Sequence, residues 1–176
     1  MIPFVAADQQ ELAFVAAIAA GIATAVLLGR GGGWQRLVLA ALAGAHLGVV
    51  AAVMLLPLPQ QFAPSLAALG EVGLVPGATI ELLREGLQAW RQLGAGVLLI
   101  APAGLLLPQV RTDLRPFGRT LAAGLALALG IELLQLLVGL VTGVVYRAVD
   151  VDHVLLNVLG VALGRGVLAL WHAVTR

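Results

Sequence analysis

One stretch restricts this chain more than any other. Residues 121–141 form an unbroken apolar run whose only polar side chains are Glu132 and Gln135. As a helix the run is roughly 31 Å long at 1.5 Å per residue, enough to cross a bilayer core. An acid at mid-depth costs about 2.5–3.5 kcal/mol on insertion scales, whereas an interhelical hydrogen bond in a membrane returns only about 0.6 kcal/mol on average. Glu132 therefore reads as part of a site rather than as ordinary glue between helices. A neighbouring helix should supply the groups that meet it.

The rest of the sequence prefers the same solvent. The chain is 61% hydrophobic and 11% charged, where a soluble domain carries about 25% charged residues. That is too little charge for a water-facing exterior. The expected fold is an all-α membrane protein, a single transmembrane domain over residues 1–176. It should be a compact bundle of about five transmembrane helices. Apolar runs place the spans at 12–29, 36–56, 93–107, 119–142 and 152–171, with Pro57 and Pro59 closing the second and Pro108 the third. His46 lies mid-span with no polar neighbour in sequence and reads as a neutral packing histidine. Residues 57–77 carry four prolines and read as loop. A short interfacial helix is predicted next, capped by Thr79 and running to about Arg91, because Ile80, Leu83, Leu87 and Trp90 recur at helical spacing.

Charge sets an expected orientation. With five spans, Arg30, Arg36, Arg111, Arg115, Arg119 and Arg176 share one side, which the positive-inside rule makes cytoplasmic. The N-terminus is then outside and the C-terminus cytoplasmic. A net charge of +1 offers no basic face for nucleic acid. The absence of Cys excludes thiolate nucleophiles and Cys-ligated metals.

The polar residues gather at two places. Glu132 and Gln135 share a helix face. Further on, Asp150, His153, Asn157, Gly160 and Gly164 follow in steps of three or four and form one stripe down the last span. Asp152 falls off the stripe and is expected to be the helix N-cap. Gly160 and Gly164 make a small-xxx-small groove for close helix packing, and Gly130 is expected to do the same on the fourth span. Asn157 is expected to hydrogen-bond Glu132 or Gln135, leaving Arg147 for an anionic ligand or for Asp150.

These residues resemble the VanZ-like family of bacterial membrane proteins. The family shows Glu-x-x-Gln in one span, then Arg-x-x-Asp-x-Asp-Asp-x-x-x-Asn-x-x-Gly-x-x-x-Gly leading into the last. Glu132 and Gln135 match the first; Arg147, Asp150, Asp152, Asn157, Gly160 and Gly164 match the second. The likeness covers a core of residues 96–164. His153 stands where the family usually has an acid, and Gly94 and Gly96 stand near where an Asn is usual. The resemblance implies a protein of the bacterial cytoplasmic membrane and cell envelope. The founding member is linked to reduced susceptibility to teicoplanin, a lipid-tailed glycopeptide.

The leading functional expectation is a non-enzymatic binding protein with no cofactor. Its partner would be a polar membrane lipid, a lipid-linked cell-wall glycan precursor or a lipophilic glycopeptide antibiotic. The functional polar site would be Glu132, Gln135, Arg147, Asp150, His153 and Asn157. The alternative is a membrane-embedded hydrolase or metal-dependent enzyme using Glu132, Asp150, Asp152 and His153, since carboxylates and an imidazole can hold a divalent ion or activate water. Neither Gly-x-Ser-x-Gly nor His-Glu-x-x-His occurs in the chain.

Overall fold

The computed structural model describes residues 7–29, 33–56, 59, 62–77, 86–144 and 150–175. Five α-helices follow one another: α1 (Ala7–Gly29), α2 (Trp34–Leu55), α3 (Leu87–Val110), α4 (Phe117–Thr142) and α5 (Val151–Val174). α2, α4, α5 and the Leu93–Val110 part of α3 are long and apolar enough to cross a membrane; in α1 the qualifying apolar stretch is the shorter Phe14–Ala23. The arrangement is a helical membrane bundle, as the composition requires.

α4 shows how such a bundle sorts its faces. Gly124, Ala128, Ile131, Glu132, Gln135 and Gly139 are buried, while Leu125, Leu129, Leu133 and Leu137 are exposed. The polar groups face inward and a leucine stripe faces out, where lipid rather than water is the solvent. At the centre Val50, Ile100, Ala103, Ile131 and Val161 join α2, α3, α4 and α5.

Glycines let the backbones approach. Any Cβ on Gly164 would collide with the Ala101 carbonyl, and one on Gly160 would lie 2.5 Å from the Val97 carbonyl. Both contacts advance by four residues together, so α5 runs parallel to α3. Gly104 answers from α3 by accommodating the Val161 carbonyl, and Gly124 of α4 receives the Val161 side chain. The small-residue groove thus packs on the third helix rather than the fourth. Gly130 is exposed with open space around it, so it is no packing site. A second seam joins α1 to α2, with Gly21 against Gly44 and Gly48 against Ala17. These pairings run in opposite directions, so the two helices are antiparallel.

Two boundaries differ from the sequence reading. α3 passes through Pro102 and Pro108 and ends at Val110. A proline fits helical φ but loses its own N–H bond and crowds the carbonyl four residues back, a disturbance that packed neighbouring helices absorb within a membrane bundle; beyond Pro108 the Arg111 N–H still bonds the Leu107 carbonyl at 2.9 Å. At its start α3 takes in Leu87 and Trp90, so this end of the predicted interfacial helix is continuous with the third span. Gly86, at φ 114°, is the N-cap of α3, so the predicted helix is interrupted there; its earlier part, residues 79–85, lies outside the described residues.

The α2–α3 connection is not plain loop. It contains a 3₁₀ helix, Leu66–Glu71, whose Ser65 cap accepts from the Ala67 N–H at 3.2 Å. The Ser65 N–H bonds the Leu140 carbonyl at 2.9 Å, and Gly143, in left-handed conformation at φ 67°, ends α4 directly against the Ala63 carbonyl. The connection is thereby pinned over the end of the bundle where α4 stops.

Candidate functional site

α5 does not start level with the end of α4. The Asp150 backbone N–H meets Glu132 Oε2 at 3.3 Å, although α4 continues ten residues past Glu132 to Thr142. At 1.5 Å per residue the last helix begins about 15 Å below the end of the one before it. A helix N-terminus carries unpaired N–H groups and a partial positive charge. Here it is set against a buried carboxylate, and that explains how an acid is tolerated inside the bundle.

The other side chains extend this contact. His153 Nδ1 lies 3.8 Å from Glu132 Oε1, with the imidazole half exposed and the carboxylate only 6% exposed. Asp150 Oδ1 accepts from the Asp152 N–H at 3.0 Å and is the N-cap of α5. Asp152, the second residue of α5, is buried, and its two oxygens accept from the Gly77 N–H at 2.9 and 3.1 Å. The Val151 N–H bonds the Gly73 carbonyl at 3.0 Å. Residues 73–77 therefore form a strap held to the start of α5, and a Cβ on Gly73 would come within 3.2 Å of the Asp150 carboxyl.

Gln135 points elsewhere. Its Nε2 donates to the Met54 carbonyl at 2.7 Å, one of the carbonyls left open where α2 ends. Asn157 is buried a turn below His153, on the same face as Gly160 and Gly164.

A protein-family model described as VanZ/LLP1 matches residues 43–172. The chain belongs to the VanZ/LLP1 family. No curated protein and no solved structure matches it. The VanZ/LLP1 segment begins at Ala43, inside α2, so it reaches beyond the 96–164 motif core and includes Met54, the strap and every candidate site residue.

Within this VanZ/LLP1 chain the structure corrects three expectations. The N-cap is Asp150 and not Asp152, because an N-cap must precede the helix with extended backbone, as Asp150 does at φ −138° and ψ 135°. The five-residue stripe divides: Asn157, Gly160 and Gly164 are buried, while His153 is exposed at the margin. Glu132 is met from the start of α5, and Gln135 from α2, rather than through Asn157 (the deep start of α5 leaves Asn157 below them both). Arg147 lies outside the described residues. Among the described residues no three His, Asp or Glu side chains are grouped to hold a metal ion.

The sequence reading missed the strap. Pro76-Gly77 is a turn signal, and Gly77 has φ 106°, yet nothing local names Asp152 as its partner. It also missed Arg165, the one guanidinium within the last span, which donates to the Arg115 carbonyl at 2.9 Å at the opposite end of the bundle.

Proposed function

We propose that this VanZ/LLP1 protein is a non-enzymatic binding protein of the bacterial cell envelope. It sits in the cytoplasmic membrane with its N-terminus outside, and it recognises a polar lipid, a lipid-linked cell-wall precursor or a lipophilic glycopeptide. One observation supports this reading above the others: buried Glu132 touches half-exposed His153 where the last helix starts, below the end of α4. A headgroup reaching that level would meet an imidazole at the rim and a carboxylate behind it. Acyl chains would remain against the exposed leucine faces. Arg147, by its place in the family motif, would meet an anionic group.

The same contact gives the alternative its footing, since a carboxylate beside an imidazole is also the arrangement of a general base. Mass spectrometry of the protein purified from native membrane separates the two. The binding reading expects one class of polar lipid to co-purify unchanged, and to be lost in His153→Ala. A bound species whose mass changes with incubation, in the parent but not in Glu132→Gln, would replace it with the hydrolase.

A further inference from the structure

The other end of the bundle holds a second feature that the polar site does not use. The turn between α3 and α4, including a 3₁₀ helix at Thr112–Leu114, gathers guanidiniums from three helices. Arg36 of α2 reaches the Val110 carbonyl at 3.4 Å, Arg119 of α4 the Asp113 carbonyl at 3.3 Å, and Arg165 of α5 the Arg115 carbonyl at 2.9 Å. Arg111 and Arg115 lie in the turn itself. Among the described residues this makes five guanidiniums against one carboxylate, Asp113.

That carboxylate is already taken. Arg111 holds Asp113 at 2.7 Å and keeps its carboxyl below the usual carboxylate range. The arginines from the helices direct their hydrogen bonds to neutral carbonyls; of the three, Arg119 also lies near enough for its charge to act on Asp113, so this end of the bundle keeps a positive excess. Arg165 adds a second observation: its Nε is buried and has no acceptor among the described residues. A charged donor left dry is costly. A small swing that brings Nε and an Nη onto two oxygens of one acceptor would relieve it, which is the geometry of a guanidinium on a phosphate.

From this we infer that the Arg36, Arg119 and Arg165 end of the bundle is a binding site for the phosphate of an anionic glycerophospholipid. The site lies where a leaflet's headgroups meet the ends of α2, α3 and α4. Basic pockets between membrane helices take such headgroups, each arginine near the surface being worth about a factor of five in affinity. The glycerol and acyl chains would lie along the apolar exterior, a support that free phosphate lacks.

The test is native mass spectrometry of the full chain in detergent, titrated with phosphatidylglycerol or with phosphatidylcholine of the same acyl chains. The parent should retain phosphatidylglycerol in preference, and Arg165→Gln or Arg119→Gln should each cut that preference by about fivefold. Arg165→Lys should fall between, keeping the charge but losing the fork. Should Arg165→Gln fail to fold, the exposed Arg36→Gln and Arg119→Gln carry the same comparison. Equal retention of the two lipids by the parent, or a preference that survives the substitutions, overturns the proposal. Displacement of the lipid by an equal concentration of inorganic phosphate also overturns it, and assigns the site to a soluble anion instead.

Discussion

The backbone N–H of Asp150 lies 3.3 Å from the carboxylate of Glu132, so the last helix of the bundle begins on the acid of the helix before it. The electropositive start of α5 and the buried Glu132 side chain belong to one arrangement. The N-cap, the strap and the half-exposed His153 are built around that contact.

Removing the carboxylate should expose what the contact is worth. Glu132→Gln keeps an acceptor oxygen for the Asp150 N–H and should melt within a few degrees of the parent in detergent. Glu132→Leu leaves that donor buried without this acceptor and should lose about 1–3 kcal/mol. Equal melting of the two variants would mean that the start of α5 is held by something else.

Asp150 and Asp152 should separate by their readouts. Asp150→Ala removes the N-cap and should cost about 1 kcal/mol of helix stability. Asp152→Ala releases the Gly77 N–H, so amide exchange should quicken within residues 73–77 while the rest of α5 stays protected. Faster exchange in the strap from Asp150→Ala alone would reverse this division of labour.

Packing predicts an ordered series of glycine variants. Gly164→Ala and Gly160→Ala each drive a methyl into an α3 carbonyl and should destabilise by about 1–3 kcal/mol. Gly130→Ala meets open space and should be neutral or gain up to about 1 kcal/mol from helix propensity. Thermal melts of the three variants in one detergent check the order.

Orientation can be read with single cysteines, because the chain has none of its own. Gly33 and Gly70 have open space around them and belong to connections at opposite ends of the bundle. In intact cells an impermeant maleimide should label Gly70→Cys and not Gly33→Cys. The reverse pattern would turn the Glu132 site toward the cytoplasm.

The sequence by itself determined the solvent and the helices. Apolar runs near the bilayer's width, with too few charges for a wet surface, leave the chain helix as its means of satisfying the backbone. Glu132, Gln135, Asn157, Gly160 and Gly164 were legible because a helix repeats every 3.6 residues and places them on inward faces whatever the neighbours are. What periodicity cannot carry is the identity of the neighbour. That the glycines receive α3, that Gln135 closes the end of α2 and that Gly77 docks on Asp152 depend on contacts between segments distant in sequence. The exchange of roles between Asp150 and Asp152 has the same origin. Both acids suit a helix start, and only the depth at which α5 begins, set by Glu132 on one side and the strap on the other, decides which one caps and which one anchors.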